Sequence, residues 1–185
     1  GSMGKIFIGK NKVNLIKTKG PDPTIIDIGS PAIDRAASVG SRTAVAQDNP
    51  ANATGIITSV ELWFIGAATN VKVATFFLVS GNNLSTRDYE VIGNVSGGSK
   101  QIKAVNLEVH TGDFIGVYWE ETYIELDTSG GNTWQGGADN DYIPCVNQLF
   151  TLSAGWVISL YGTGEAVVPV KDVARTGVYS FKTLK

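Results

Sequence analysis

Apolar residues in this chain alternate with polar ones over short runs, and no stretch of ten or more residues carries the 3.6-residue period of an amphipathic helix. The runs are rich in Val, Ile, Phe, Tyr and Thr, and clusters of Gly, Asn, Asp and Ser separate them, which is the punctuation of β structure. In GIITSVELWFIG (Gly55 to Gly66), Ile56, Val60, Leu62 and Phe64 fall on one face and Ser59, Glu61 and Trp63 on the other, predicting a half-buried strand. NVKVATFFLVSGNN follows with two apolar faces, predicting an interior strand that SGNN then turns. Further runs are DYEVIGNV, QIKAVNLEV, DFIGVYW, TYIEL, QLFTL and GWVISLYG, whose Trp156 belongs in the core. Only SPAIDRAASV (Ser30 to Val39) offers one turn or a brief helix. About eight core strands with long links predict an all-β fold, an antiparallel two-sheet sandwich of jelly-roll type. An immunoglobulin-like sandwich is the competitor, but the paired cysteines of the antibody type are missing.

One cysteine, Cys145, cannot form an internal disulfide, so burial must hold the fold, and 185 residues suffice for one substantial core. Gly1 and Ser2 before Met3 read as an expression scar. Residues 3–22 read as a basic N-terminal arm or hairpin, 23–165 as the sandwich, and 166–185 as a C-terminal strand or tail packed on it. KGPDP marks the first boundary, because the residue before each proline is pushed out of helical geometry. Five lysines and no acid lie in residues 3 to 19, whereas residues 20 to 170 hold sixteen acids against six basic residues, a net of −10. An acidic body argues against nucleic acid, since phosphate neutralisation needs basic surface. The basic arm beside it predicts self-association, with the arm making subunit contacts. No apolar segment approaches the roughly 20 residues of a spanning helix and no export signal is visible, so a soluble product without membrane insertion is expected.

IDIGSPAIDRAA (Ile26 to Ala37), NPANATGIITSVELWF (Asn49 to Phe64) and LEVHTGDFIGVYW (Leu107 to Trp119) resemble a β-sandwich module found in uncharacterised proteins of phages, prophages and environmental bacteria. The resemblance covers roughly Ile25 to Gly164. It implies a part associated with a virion or tail, and it carries over no functional residue, because its motifs are structural. The stretch V-x-x-GD-x-IGVY is similar to one in many jelly-roll sandwiches, receptor ligands and glycan-binding modules among them. Physically, Thr111-Gly112-Asp113 suits a tight reversal in which Gly112 takes positive φ, and Gly116 lets an aromatic side chain or a neighbouring backbone lie close.

Catalytic constellations are thinly supplied. His110 is the one histidine, no G-x-S-x-G elbow is present, and the neighbours of Cys145 provide no base. A zinc site of the usual kind needs several His or Cys ligands. Paired carboxylates stand at Glu120-Glu121 and around Glu125 and Asp127. The twenty residues ELDTSGGNTWQGGADNDYIP (Glu125 to Pro144) predict an exposed loop that presents any ligand-facing surface. Around it stand Trp63, Trp119, Tyr123, Trp134 and Tyr142, flat rings of the kind that hold sugars or else cap sandwich edges. Asp127, Asp139, Asn140 and Asp141 offer hard oxygens for calcium, the one cofactor considered. The expected role is therefore a non-enzymatic virion- or tail-associated structural or adhesion module, localised on a virion or extracellular surface after assembly, with a virion-protein or glycan partner. The alternatives are a carbohydrate-binding module and, third, a glycan-cleaving enzyme using the acids near the loop. Sequons at Asn52, Asn83 and Asn94 reflect the Asn, Ser and Thr bias of β turns.

Overall fold

The computed structural model describes residues 24 to 167; the basic arm and residues 168 to 185 lie outside the described residues, and the expectations about them lie there too. Every regular element among the described residues is a strand, and no helix is long and apolar enough to cross a membrane. In chain order the strands are β1 (Ile25–Ser30), β2 (Ala37–Ala46), β3 (Gly55–Leu62), β4 (Ala68–Ser80), β5 (Asn83–Val95), β6 (Gln101–Val109), β7 (Phe114–Gln135), β8 (Gln148–Leu149), β9 (Thr151–Ile158) and β10 (Leu160–Ala166). They form two antiparallel sheets packed face to face. The first has the order β1-β10-β3-β6; the second runs β2-β7-β4-β5-β8, with β9 also paired to β7.

Period-two alternation decides what each face does. Along β4, Val71 and Val73 enter the core between the sheets, whereas Ala74 and Phe76 join a second cluster. On β7, Ile115, Val117 and Trp119 face the first core and Phe114 and Tyr118 the second. The second sheet is thus apolar on both faces, as the near-continuous runs VATFF and FIGVYW require of strands covered twice. Its outer face is closed by Trp134, Ile143 and Phe150. Each such large side chain taken from water contributes roughly 1.5 to 3 kcal/mol. Gly116 makes the packing possible: a Cβ there would lie 2.5 Å from the Phe76 ring and 3.0 Å from the Ala44 carbonyl oxygen. The reversal at Thr111-Gly112 forms as expected, with Gly112 at φ 89° and the Asp113 N–H donating to the His110 carbonyl at 2.9 Å.

Three local expectations are corrected. Ile57, not Ile56, enters the core, because an irregularity between Ile57 and Ser59 shifts the alternation of β3 against β6. SPAIDRAASV forms no helix. Arg35 is drawn into tertiary bonds instead, its backbone N–H donating to Glu125 Oε2 at 3.0 Å, its Nη1 pairing with Asp127 at 2.6 Å and its Nε donating to Ser159 Oγ at 2.8 Å. Glu125 to Pro144 is not an exposed loop: β7 continues through it to Gln135, with β9 along its flank. Pairing with β9 lapses over Thr128 to Gly130, which bulge out with Gly130 at φ 108°, and resumes at Gly131 beside Gly155, so the turn-forming residues of TSGGN make a bulge within the strand rather than a loop.

Both edges of the first sheet are sealed by side chains. Beside β6, the Glu108 N–H donates to Asp88 Oδ2 at 2.8 Å and the Asn106 N–H to Glu90 Oε2 at 2.9 Å. Beside β1, Asn52 accepts from the Asp27 N–H at 3.1 Å and donates to the Ile25 carbonyl at 3.1 Å, while Asn49 donates to the Gly29 carbonyl at 3.0 Å. Unpaired edges invite strand addition from other chains, and these groups stand where the next strand would bond. Removing the carboxylates in an Asp88→Ala/Glu90→Ala variant is expected to raise the mass measured by light scattering above that of the parent, whereas Asp88→Asn/Glu90→Gln, which keeps oxygen acceptors, is expected to match the parent. Equal masses for all three would show that the β6 edge is protected by something else.

Candidate functional site

A break in one ladder builds a cleft. β2 and β7 stay in register from Val45 beside Gly116 to Arg42 beside Trp119, and resume at Gly40 beside Tyr123. Between those pairs β2 leaves one residue unpaired, Ser41, and β7 leaves three, Glu120 to Thr122. Across the break both strands exchange their faces: Ala44 and Ala46 of β2 and Val117 and Trp119 of β7 enter the core on one side of it, and Val39, Ile124 and Leu126 on the other. Trp119 points into the core, and an unbroken β7 would carry Tyr123 inward with it. The break puts Ile124 and Leu126 inside instead and leaves Tyr123 55% exposed. Glu121, at the apex, adopts φ 73°, the left-handed region that a glutamate rarely enters.

Buried groups hold the break open. The Trp119 indole N–H donates to the Thr122 carbonyl at 2.9 Å, and Thr122 Oγ1 accepts from the Gly66 N–H at 2.9 Å. The segment after β7 is laced across β2 from the other side. The Gly136 N–H donates to the Thr43 carbonyl at 2.8 Å, the Thr43 N–H to Asn140 at 3.1 Å, and the Asp139 N–H to Ser41 at 2.8 Å. The result is a cleft of about 560 Å³ between β2, the broken part of β7 and the Ala138-Asp139 turn. Tyr123 lies over Gly40, where a Cβ would meet its ring at 3.4 Å.

The polar groups of the cleft are oriented by one another. Glu120 accepts from the Tyr118 hydroxyl and from Asn70, each at 2.6 Å. Those two hydrogen bonds hold its carboxyl below the usual range, Tyr118's bond being the stronger cause. The Tyr118 phenol is pushed upward, first by burial and then by the Glu120 bond and the nearby charges of Asp141 and Asp139. Arg42, whose pKa burial lowers, donates through Nε to the Gly40 carbonyl at 2.9 Å and through Nη1 to Gln135. Lys72 pairs with Asp141 and donates to the Ile143 carbonyl at 3.0 Å.

Of the five aromatic candidates, only Tyr123 lines this cleft. Trp119 is wholly buried and acts on the site only by holding the break. Trp134, expected at the centre of an exposed loop, is 2% exposed; its indole N–H donates to Asn82 at 2.9 Å and its ring packs edge-on to Phe114 at 4.9 Å. Both tryptophans are corrected to core residues, because an indole on a doubly covered sheet has no route to a ligand. Tyr142 is half-buried and packs against Gly136 and edge-on to Phe150 at 5.4 Å. Trp63 is half-buried on the link after β3, where its backbone bonds to Ser159 and Glu125.

The four calcium candidates are engaged separately. Asp127 pairs with Arg35, which with the Ala36 N–H holds its carboxyl low; Asp141 pairs with Lys72 and accepts from the Ile143 N–H; Asp139 lies on the cleft; and Asn140 donates to the Tyr142 hydroxyl at 3.2 Å. Among the described residues no three His, Cys, Asp or Glu side chains converge to hold a metal ion. Sequence reasoning missed Arg42 and Tyr118. The signal for the break was present in WEETY, where two adjacent glutamates interrupt apolar runs that otherwise alternate.

Comparison with protein-family models, with curated proteins and with solved structures finds no match to the chain.

Two aromatic substitutions separate scaffold from site. Trp134→Ala is expected to lower unfolding stability by about 3 to 5 kcal/mol, while Tyr123→Ala, at an exposed ring, stays within about 0.5 kcal/mol of the parent. Denaturant melts of the two variants measure both values, and a small loss at Trp134 would contradict its burial.

Proposed function

We propose that the chain is a non-enzymatic adhesion module of jelly-roll type, built into a virion or tail assembly, that holds a glycan in the cleft beneath Tyr123. The observation that carries the reading is the Tyr123 ring, presented to solvent above a cleft whose polar groups are already oriented. An exposed ring stacks on the apolar face of a sugar while neighbouring oxygens and nitrogens bond its hydroxyls, and little ordering entropy is lost when those groups are fixed beforehand.

The strand order supports the jelly-roll part. With β8 and β9 set aside, the first strand pairs with the last, β2 with β7, β3 with β6 and β4 with β5, the pattern of one long hairpin rolled up into two sheets. That architecture serves capsid and lectin domains alike, which agrees with the resemblance of the motifs to phage-type modules. The state of the carboxylates favours binding over hydrolysis. A glycosidase needs one carboxylic acid with a raised pKa facing a second carboxylate, whereas the bonds from Tyr118 and Asn70 keep Glu120 ionised and suited to accept.

Calorimetric titration of the full chain with a panel of oligosaccharides tests the proposal. Binding by the parent is expected, and Tyr123→Ala is expected to weaken it by about tenfold or more, equivalent to about 1.4 kcal/mol, at unchanged thermal stability. No binding across the panel, or equal binding by Tyr123→Ala, refutes the cleft as a glycan site. Product release during the titration would restore the glycosidase reading.

A further inference from the structure

We infer that the cleft discriminates by charge, taking saccharides that carry free, protonated amino groups in preference to neutral ones and rejecting acidic ones. The inference rests on the glycan reading of the cleft and adds the class of sugar.

Its basis is an imbalance between lining groups that are occupied and lining groups that are not. Three carboxylates line the cleft, Glu120, Glu121 and Asp139, against one cation, Arg42. The guanidinium is turned to the protein's own acceptors, the Gly40 carbonyl and Gln135. The next cation along β4, Lys72, is held by Asp141 and the Ile143 carbonyl. A carboxylate or sulfate on a sugar would therefore have to break an internal bond to reach either positive group. The opposite holds for the acids. Among the described residues neither Glu121 nor Asp139 enters an ion pair, and both are exposed; Asp139 lies near enough to Arg42 to favour the charged guanidinium but makes no hydrogen bond to it. Backbone geometry keeps them at the rim, Glu121 at the apex of the β7 break and Asp139 tied by its N–H to Ser41.

The nearby charges of Glu120, Asp141 and Asp139 all disfavour ionisation of the Tyr118 hydroxyl, against Lys72 at 5.8 Å from its ring and Arg42 on the same cleft. An ammonium group on a sugar stacked against Tyr123 meets Glu121 and Asp139, two carboxylates with capacity to accept its N–H bonds. Charge-assisted bonds of this kind are shorter and stronger than those to a neutral hydroxyl. The acid cluster sets the selectivity; the cavity and the ring supply the site.

The experiment uses the full chain and three oligosaccharides of equal length: a β-linked glucosamine oligomer at a pH where its amines are protonated, the N-acetylated form of the same oligomer, and an oligomer of a uronic acid. The amine form is expected to bind about fivefold or more tighter than the neutral form, with the margin shrinking at high salt, and the acidic form is expected not to bind. In Glu121→Gln/Asp139→Asn the margin between the amine and the neutral form should vanish. Removing two carboxylates far from the cleft, in Asp34→Asn/Glu165→Gln, should leave the preference intact. Equal loss in that control would mean diffuse attraction to an acidic body and would overturn the inference. So would tighter binding of the neutral or acidic oligomer by the parent, although the glycan reading would then stand. Absence of binding to all three oligomers by parent and Tyr123→Ala alike would remove the glycan reading itself.

Discussion

The second sheet is apolar outside as well as inside, and covering that outer face is the constraint from which the rest of the geometry follows. Val45, Ala74, Phe76, Leu84 and Tyr118 would otherwise form a contiguous patch in water, larger than single-chain proteins ordinarily leave bare. The chain meets the demand with its own late segment. Trp134, Ile143 and Phe150 lie on the patch, and hydrogen bonds at Thr43 lace residues 136 to 142 across β2. The path of that cover brings Asp139 to the cleft and Asp141 to Lys72. The candidate site is thus a by-product of hiding an apolar sheet, with one wall made of scaffold and the other of cover.

What could be read beforehand follows from how local each signal is. The two apolar faces of NVKVATFF and the reversal at Thr111-Gly112 depend on neighbours in sequence, and both appear in the structure. The slip from Ile56 to Ile57 depends on an irregularity shared with β6, which no single run reveals. The stretch from Glu125 to Pro144 misleads for a related reason. Its glycines and acids favour a loop, yet β9, the next strand but one, supplies enough pairing to keep β7 extended, and Trp134 enters the core with it. Within the site, Tyr123 was visible as an aromatic beside paired acids. Arg42 was not, since its place opposite β7 follows from pairing across some eighty intervening residues.

Composition also concealed how differently the acids are used. Asp88 and Glu90 substitute for a missing strand along β6. Asp113 caps the His110 N–H and grips Arg87, while Asp127 and Asp141 each neutralise one cation. Counted together they give an acidic body; placed individually, most are committed to internal partners. Those at the cleft rim keep their acceptor capacity for an outside molecule, so it is the distribution of occupied and unoccupied carboxylates, rather than net charge, that bears on recognition.

The interruption between Trp119 and Tyr123 places an unusual restriction on how sequences related to this one can drift. The Glu121 side chain faces water, so substitutions there change the chemistry of the rim with little effect on the core. Length obeys a different rule. Three residues lie between Trp119 and Tyr123, and plain alternation over that count would carry Tyr123 inward; the left-handed turn of the backbone at Glu121 reverses it. Dropping one of the three would let ordinary alternation put Tyr123 outside and Ile124 and Leu126 inside with no such turn. Descendants of this chain can therefore diversify the residue types around the cleft, and a gap of one residue at this point marks those that keep the same faces on a plain strand in place of the break.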